Sequence, residues 1–325
     1  MRIGIAYDTQ DMYDIDHNIY YDFADAQSII SLKNELESLN YTVDMLGNAQ
    51  QIKELLKNNQ LNCDIVYNTV EGIASRNREG IIPALLETYN IPYIGTDAFG
   101  LSLTLNKDLT RLIAQRHGIN VANGFLVSCL DNQNTYNKKL KQLNFPIIIK
   151  PNYEGNSSGI TVCNDIDEAT KQIQTLLDSY HTDILCEEFI YGSEITIPYI
   201  DSNPYSIWDV TTVDVQRAPD FWLDTNWKQN GDYHNVILDL DIKTKLKFEY
   251  AVKTLFQAIG CRDFCRFDFR LTDDNTIYFI EANPLPALFK GGSFDVVGQK
   301  YGYSYGETIE LIINTACNRL SIPKI

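Results

Sequence analysis

Two carboxylates, a carboxamide and an arginine lie close together in one short stretch of the chain. The stretch is CRFDFRLTDDNTIYFIEANPLP, residues 265–286, and the four residues are Arg266, Asp268, Glu281 and Asn283. Mg²⁺ takes oxygen ligands of this kind in proteins, usually together with water and the phosphate groups of a substrate. The alternative is an exposed hairpin with ordinary solvated charges, and these residues alone favour neither interpretation.

These side chains can meet only if the stretch folds back on itself. The alternation of apolar residues predicts two strands, Arg266–Leu271 and Thr276–Asn283, joined by the polar turn Thr272–Asn275. A four-residue turn would pair residue 266 with residue 281 and residue 268 with residue 279. Because successive side chains of a strand alternate between its faces, we expect all four polar groups on one face of the hairpin.

A second stretch with chemical potential is KPNYEGNSSGI, residues 150–160. Its glycines and serines can present several backbone N–H groups to one anion, and Lys150 can add a point charge. We expect such a loop to close over phosphate groups and to exclude water from them. A polar hairpin turn would have the same composition, so that alternative stays open.

The bulk composition is that of a globular protein with more than one subdomain. The chain has 325 residues, of which 44% are hydrophobic and 22% charged, and its formal net charge is −16. It has no basic cluster, which argues against nucleic acid as a partner. Seven cysteines without a CxxC pair favour a reducing compartment over a disulfide framework.

The sequence gives no reason to expect secretion or membrane insertion. The first residues, MRIGIAYD, lack the apolar run that follows the basic start of a signal peptide. No stretch approaches the roughly 18 apolar residues that span a bilayer. We therefore expect a cytoplasmic protein that does not bind membranes.

Strands and helices alternate regularly over about the first 95 residues. The predicted strands are Arg2–Tyr7, Tyr41–Leu46, Cys63–Thr69 and Ile91–Ile94, and the predicted helices are Ala24–Leu39, Gln50–Lys57 and Glu79–Tyr89. This order implies an open, mostly parallel sheet. The segment contains no GxGxxG, so a dinucleotide site is not predicted.

The remaining elements alternate less regularly. The predicted helices are Lys107–His117, Tyr136–Leu143, Asp167–Tyr180 and Ile242–Ile259, and the predicted strands are Gly124–Leu130, Phe145–Lys150, Ile160–Cys163, Ile184–Glu188 and Glu194–Ile200. Residues 203–233 are aromatic-rich and irregular, which is typical of a lid or substrate loop. The last segment is expected to start as a glycine loop and to end as a helix.

The order of these motifs resembles that of the ATP-grasp enzymes, in particular the D-alanine–D-alanine ligase group. The resemblance covers nearly the whole chain. Its motifs are IPYIGTDAFGLSLTLNKDLTRLI (91–113), KPNYEGNSSGI (150–160), CEEFIYGSE (186–194) and the hairpin at 265–286. The hairpin is the most specific of them, because all four of its polar residues stand at family positions, and this favours the metal interpretation.

The resemblance implies a fold and a subunit organisation. The fold class is α/β, with an N-terminal open parallel α/β sheet followed by an ATP-grasp fold of two α+β subdomains. The implied boundaries are 1–98 for the N-terminal Rossmann-like domain, 99–186 for the central subdomain and 187–325 for the C-terminal subdomain. The resemblance also favours a homodimer.

The resemblance further implies site residues. Residues expected to contact ATP are Lys107, Lys150, Glu154, Ser157, Ser158, Glu187, Glu188, Ile190 and Glu194. Among them, Lys107 and Lys150 would contact the phosphates, Glu187 and Glu194 would hold the adenine amino group and the ribose hydroxyls, and Ile190 would lie against the ring. Asp268, Glu281 and Asn283 would hold Mg²⁺. Arg266, with Lys150, would neutralise charge at the reacting groups.

The implied reaction is ATP-dependent formation of an amide or peptide bond. A carboxylate would be activated as an acyl phosphate and then attacked by an amine. The alternatives are a true D-alanine–D-alanine ligase of cell-wall synthesis and, from another class, a protein that binds ATP without catalysis. The presence of Arg266 argues against the last, since a binding protein has no need of that arginine.

The substrate half departs from the family pattern. Glu71 stands where histidine is usual, Asn156 where a serine is usual, Ala287 where glycine is usual, and Gly292, with Ser293 beside it, at a serine position. The family's Gly-Gly-x-Ser signature is absent after the first strand, and its tyrosine–lysine loop signature is not evident in residues 203–233. We therefore expect a substrate pair other than two D-alanines.

Charged residues in the altered segments are candidates for binding amino-acid groups. Arg76, Arg78 and Lys290 are expected to receive a carboxylate, and Glu71 together with Asp22 or Asp25 an ammonium. For each of them taken alone, an ordinary surface charge is the simpler interpretation.

Overall fold

Three sheets and the helices around them are formed by residues 1–13, 23, 26–73, 75–213 and 234–323, which the computed structural model describes. Strands alternate with helices throughout the first sheet, whereas the two antiparallel sheets also contain strands that follow one another directly. Within these ranges, no helix combines the length and the apolar character that crossing a bilayer requires.

The first sheet is parallel and confirms the predicted N-terminal architecture. Its strands are β1 (Arg2–Ala6), β2 (Thr42–Gly47), β3 (Ile65–Asn68) and β4 (Tyr93–Ile94), in the order β2-β1-β3-β4. The helices between them are α1 (Ala26–Ser38), α2 (Ala49–Lys57) and α3 (Ile81–Thr88). Ile3 and Ile5 pack into one apolar cluster and Ala6 and Val66 into another, so both faces of the sheet are covered.

The second sheet is antiparallel and carries the 150–160 loop. Its strands are β5 (Gly124–Val127), β6 (Ile147–Pro151), β7 (Thr161–Cys163) and β8 (Ile184–Glu188), in the order β5-β8-β6-β7. The helices of this region are α4 (Ala98–Leu105), α5 (Lys107–Arg116), α6 (Gln133–Leu140) and α7 (Ile166–Tyr180). Apolar side chains of α6 and α7 share one core with β6 and β8.

The third sheet is also antiparallel and contains the acidic hairpin. Its strands are β9 (Ser193–Ile200), β10 (Ile207–Trp208), β11 (Thr211–Val213), β12 (Asn235–Ile237), β13 (Phe264–Leu271) and β14 (Ile277–Asn283), with the main order β12-β11-β9-β13-β14. Helix α8 (Ile242–Ile259) packs against it through Phe248 and Leu255. The last helices are α9 (Ser293–Lys300) and α10 (Tyr305–Leu320).

The register of the hairpin differs from the predicted one by two residues. Arg266 pairs with Asn283 and Asp268 with Glu281, instead of 266 with 281 and 268 with 279. The turn is one residue longer than predicted, because Leu271 pairs with Ile277, and a bulge adds a second residue beside Asp268. A shift of two preserves the alternation of faces, so the four polar residues still share one face.

Two helices were not predicted as such. Helix α4 is apolar on nearly all sides, so it shows no helical period that a sequence reading could detect. The predicted single C-terminal helix is two helices, because Gly302 takes a left-handed φ of 87° and Ser304 starts α10 with a capping box.

The region predicted to be irregular is only partly described. Residues 207–208 and 211–213 of the predicted lid are strands β10 and β11. Residues 214–233, the larger part of that predicted lid, lie outside the described residues. Our subdomain boundaries stay a prediction, and we note that β8 runs across the one placed at residue 186.

Candidate active site

Two buried lysines face glutamates of neighbouring elements. Lys150, near the end of β6, places its Nζ 2.8 Å from Oε2 of Glu187 on β8. Lys107, the first residue of α5, places its Nζ 3.1 Å from Oε2 of Glu281 on β14. Both lysines are less than 10% exposed, so each charge requires a partner. The first pair lies within the second sheet, and the second pair joins α5 to the third sheet.

The positive charge of Arg266 is held by the carboxylate two residues along the same strand. Its Nη2 lies 2.8 Å from Oδ2 of Asp268, and its Nε lies 3.1 and 3.2 Å from the two carboxylate oxygens. Burial alone would lower the pKa of Arg266, but the charges of Asp268 and Glu281 raise it above its ordinary value. The guanidinium is therefore cationic throughout the physiological pH range.

The oxygen donors of the hairpin fit a hard divalent cation. Asp268 and Glu281 are directly opposite each other on paired strands, and Asn283 lies two residues further along on the same face. Across the described residues, no group of three His, Cys, Asp or Glu side chains is arranged to hold a metal ion. A cation here would therefore need amide, water or phosphate oxygens besides the two carboxylates, which is how Mg²⁺ is commonly held.

The acidic pair at the end of β8 is split between two faces. Glu187 faces the site, where its Oε1 also lies 3.8 Å from Nε of Arg111. Glu188 points the other way and accepts hydrogen bonds from the Nδ2 groups of Asn123 and Asn144, at 3.1 and 2.9 Å. Neighbouring strand residues alternate between faces, so the structure does not bring the Glu188 side chain to the predicted site.

Glu194 lies on an interior strand of the third sheet. Strand β9 runs between β11 and β13, so Glu194 is not a charge on an edge strand. Nη2 of Arg270 lies 3.3 Å from its Oε1, and Nη1 of the same arginine donates to the carbonyl oxygen of Gly192 at 2.8 Å. Ile190 belongs to the segment 189–192 that connects β8 to β9. It lines a surface cleft of about 430 Å³ between this segment and the turn of the hairpin.

The predicted phosphate loop has an unusual backbone. Asn156, Ser157 and Gly159 have φ angles of 47°, 60° and 70°, which is the left-handed region that residues other than glycine rarely adopt. The hydroxyl of Ser158 lies 2.9 Å from that of Tyr180 on α7, which fixes the loop to its own subdomain. Glu154, also predicted to contact ATP, is buried.

The residues predicted to bind the amino-acid substrates are only partly brought together. Arg78 is fully buried and donates from Nη1 to the carbonyl oxygen of Tyr153, at 2.8 Å, so it connects the first sheet to the phosphate loop. Gly292 and Ser293 are buried at the start of α9. By contrast, Arg76, Ala287 and Lys290 are exposed. Asp22 and Asp25 lie outside the described residues.

Asp8 is a buried acid that the sequence reading passed over. Its carboxylate accepts hydrogen bonds from the backbone N–H groups of Glu71 and Gly72, at 3.0 and 2.8 Å, and from the hydroxyl of Tyr13 at 2.8 Å. Burial raises the pKa of Asp8, although these hydrogen bonds act in the opposite direction. Its place directly after an apolar parallel strand was the available signal, since ligands bind at that edge of such sheets.

Arg111, Asn152 and Asp295 are other polar residues near the site that gave no sequence signal. Asp295, in the first turn of α9, accepts the backbone N–H of Gly291 at 2.8 Å with one oxygen, and its other oxygen is buried without a donor among the described residues. Arg111 pairs with Asp108 on its own helix, but its approach to Glu187 and the bond of Asn152 to Asn106 join residues that are distant in the chain. These distant partners can be known only once the elements are packed.

The matching family model and two related sequences all come from D-alanine–D-alanine ligases. A family model described as "D-ala D-ala ligase C-terminus" matches residues 113–314. The D-alanine–D-alanine ligase of Carboxydothermus hydrogenoformans is 30% identical over 281 residues, which cover 84% of this chain and 87% of that protein. D-alanine–D-alanine ligase B of Clostridium perfringens is 25% identical over 293 residues, 89% of this chain and 92% of that protein.

Solved structures have the same fold. A D-alanine–D-alanine ligase from Bacillus anthracis, complexed with ATP, matches with a TM-score of 0.76 and 19% identity over 98% of both chains. The VanG D-Ala:D-Ser ligase from Enterococcus faecalis matches with a TM-score of 0.74 and 18% identity, over 97% of this chain and 99% of that one. At this identity, the likeness concerns the fold alone.

Proposed function

The chain belongs to the D-alanine–D-alanine ligase family and is an ATP-dependent ligase, and we propose that it joins a carboxylate to an amine through an acyl phosphate. The observation that carries the proposal is the contact of Lys107 with Glu281 of the acidic hairpin, together with the buried pair of Lys150 and Glu187. Phosphoryl transfer depends mainly on positioning and charge neutralisation, and these groups supply both.

In the first half-reaction, a carboxylate oxygen of the substrate attacks the γ-phosphorus of ATP, and ADP leaves. Lys150 and Lys107 turn from Glu187 and Glu281 to the phosphate oxygens, which are the stronger anions. Arg266 reduces the electrostatic repulsion between the substrate carboxylate and the γ-phosphate, which are both negatively charged. The phosphate loop around Ser157 covers the product and keeps water from the acyl phosphate.

Asp268, Glu281 and Asn283 would hold Mg²⁺, which supplies neutralisation of phosphate charge when bound. Their place on one face of the hairpin supports this assignment. Arg266, which contacts both oxygens of Asp268, would lie beside such a cation and could direct its remaining N–H groups to the reacting carboxylate.

In the second half-reaction, the amine attacks the acyl carbon and forms the C–N bond. The C–O bond to the phosphate then breaks, and inorganic phosphate leaves with the proton that the amine nitrogen gives up. Arg266 and backbone N–H groups near Ala287 stabilise the tetrahedral oxyanion between these two events. Acyl phosphates are hydrolysed readily, so the site must remain closed until the amine has reacted.

We further propose that the substrate pair differs from two D-alanines. Support comes from Glu71, Asn156, Ala287 and Gly292, which depart from the family pattern in the substrate half. The alternative is a D-alanine–D-alanine ligase with a divergent pocket.

ADP release measured with ATP and a panel of amino acids and dipeptides tests this proposal, with the product identified by mass spectrometry. We expect turnover that requires both a carboxylate and an amine. Robust turnover with D-alanine alone would contradict the proposed substrate pair and leave the ligase reaction standing. ATP binding without substrate-dependent ADP release would identify a binding protein, and an acyl phosphate trapped by hydroxylamine without an amide product would identify a carboxylate kinase.

A further inference from the structure

We propose that Asn152 is a positioning residue that fixes the two ATP-site lysines relative to each other. Lys107 and Lys150 come from different elements, a helix N-terminus and a strand end, and are separated by 43 positions in the sequence. Two point charges that act on one triphosphate must be held at a constant separation. Asn152 joins their elements directly by hydrogen bonds.

Every polar group of Asn152 forms a hydrogen bond. Its side-chain Nδ2 donates to Oδ1 of Asn106 at 2.9 Å, and its Oδ1 accepts the backbone N–H of Asp108 at 3.0 Å. Its carbonyl oxygen accepts the backbone N–H of Lys107 at 3.2 Å, and its own N–H donates to Asp183 at 2.9 Å. The residue is 0% exposed. Three consecutive residues at the start of α5 are therefore bound to it.

These hydrogen bonds determine which groups at the start of α5 can bind a phosphate. The first N–H groups of a helix have no partner within the helix and often bind anions. Here Asn152 takes the N–H groups of Lys107 and Asp108, and Asn106 takes that of Leu109. The helix end is thereby closed to phosphate, and the ammonium of Lys107 is the group left to make that contact.

Asn152 is also bound to the strand that carries Lys150. Lys150 lies two positions before Asn152 on β6, which is paired with β8 through Pro151 and Ile184. The hydrogen bond from Asn152 to Asp183 extends this pairing by one residue. Lys150 therefore cannot shift along the strand without moving Asn152 and, with it, α5.

The connection continues to the first sheet through the neighbouring residue. The hydroxyl of Tyr153 accepts a hydrogen bond from Nδ2 of Asn106 at 3.0 Å, and its carbonyl oxygen accepts one from Arg78. Asn106 is thus held by both Asn152 and Tyr153. We assign Tyr153 a weaker supporting part, because it contacts only one of the three α5 residues that Asn152 binds.

ATP affinity in Asn152→Ala tests the assignment, and Asn48→Ala is its matched control. Asn48 is also a buried asparagine whose side chain accepts two N–H groups at a helix start, but it caps α2, away from the ATP site. Both variants should melt at lower temperature. We expect the Kd of the non-hydrolysable analogue AMP-PNP, measured by calorimetry with MgCl₂, to rise about tenfold in Asn152→Ala alone.

Asn152→Asp and Tyr153→Phe extend the series if the alanine variant does not fold. The aspartate keeps the acceptor for the N–H of Asp108 and loses the donor to Asn106. The Kd of Asn152→Asp for AMP-PNP should therefore lie between that of the wild type and the roughly tenfold higher value expected when both side-chain hydrogen bonds are lost. Tyr153→Phe should raise Kd less than Asn152→Asp. Unchanged Kd values across the series would overturn the positioning role.

The role of Asn152 rests on the proposed function, in which ATP is the ligand. The experiment distinguishes a failure of the proposed function from a failure of the role of Asn152. A wild-type protein that binds no AMP-PNP overturns the proposed function and the role of Asn152 with it. A wild-type protein that binds AMP-PNP while Asn152→Ala and Asn48→Ala show the same Kd overturns the role of Asn152 alone. Equal rises in both variants would likewise reduce Asn152 to a structural residue.

Discussion

Arg266 is the residue whose surroundings bear most directly on the chemistry. It is anchored by both oxygens of Asp268 and lies opposite Asn283, so its guanidinium has a defined direction before any ligand arrives. A planar guanidinium can keep one contact with Asp268 while presenting other N–H groups to an oxyanion. A lysine has the charge without this geometry.

At this scale we predict that Arg266→Lys lowers kcat by about 10²-fold or more, by analogy with the removal of one oxyanion donor. The Kd for ATP should change little, since Lys107 and Lys150 are intact. Arg116→Lys, at an exposed position at the end of α5, is the control. A kcat within about twofold of the wild-type value in Arg266→Lys would contradict the role assigned to this residue.

Among the elements, the connection between β8 and β9 leaves no room for a side chain at Gly192. Gly192 has a φ of 145°, and a Cβ placed there would lie 2.3 Å from the carbonyl oxygen of Leu271. That oxygen belongs to the end of β13, which is paired with β9 and cannot retreat. The connection also carries Phe189 and Ile190, so its position fixes one wall of the cleft beside the hairpin turn.

We therefore predict that Gly192→Ala lowers the free energy of unfolding by about 3 kcal/mol, from the clash and the backbone strain together. Gly118→Ala separates the two causes. Gly118 has a φ of 72° with nothing within 4 Å of a Cβ, so its loss should be about 1 kcal/mol, from strain alone. Equal losses in urea unfolding would show that the contact with Leu271 has no effect.

A buried carboxylate joins α8 and α9 to the third sheet. Asp209 is 1% exposed and is paired with Lys300 of α9 and with Lys245 of α8, whose Nζ lies 2.9 Å from its Oδ1. Burial alone would raise the pKa of Asp209, but the hydrogen bonds of the two lysines hold it below the usual 3.8. Because the folded protein binds this proton less tightly than the unfolded chain, the pairing stabilises the fold above pH 3.8 and is lost below it.

Asp209→Asn should accordingly be less stable than the wild type at neutral pH, and the difference should shrink as the pH falls below 3.8. Urea unfolding of both proteins along a pH series provides the measurement. A difference that stays constant, or grows, on acidification would show that the charge of Asp209 is not the source of its contribution.

Element by element, the sequence predicted most of what positions the site. The parallel β-α order, the 242–259 helix and the hairpin were predictable because their apolar periods are local. The hairpin register was not, since the bulge beside Asp268 has no local composition signal. The contacts of Arg78, Asn152 and Arg270 were equally hidden, because their partners lie on separate elements.

For the whole molecule, the C-terminal helix completes the first sheet. Ile309, Ile312 and Ile313 of α10 share an apolar cluster with Ile3 and Ile5 of β1, so residues from the two ends of the chain form one core. The buried carboxylate of Asp263 joins these parts, because it accepts Nε and Nη2 of Arg319 at 2.7 Å each and the N–H of Gly95 at 2.8 Å. The N-terminal sheet is thereby fixed to the hairpin strands that follow Asp263.

Arg319→Ala should lower the free energy of unfolding by about 3 kcal/mol, because it leaves the charge of Asp263 buried without its main partner. Arg319→Lys should lower the free energy of unfolding by less, because the lysine ammonium keeps part of the ion pair with Asp263. Arg2→Ala, which removes an exposed pair with Asp44 at the surface, is the control and should lose less than about 1 kcal/mol. A loss in Arg319→Ala no larger than in this control would show that the Asp263 contact does not hold the two parts together.

The most direct test of the account follows the oxygen that an acyl phosphate must transfer. The protein is incubated with ATP and the amino-acid pair that gives turnover, with the carboxylate substrate labelled with ¹⁸O in its carboxyl group. We predict that the inorganic phosphate released carries one ¹⁸O atom per amide bond formed, because the substrate carboxylate attacks the γ-phosphorus and its oxygen leaves with the phosphate. Phosphate without ¹⁸O would mean that water or another group attacks ATP, and it would contradict the ligase mechanism assigned to this site.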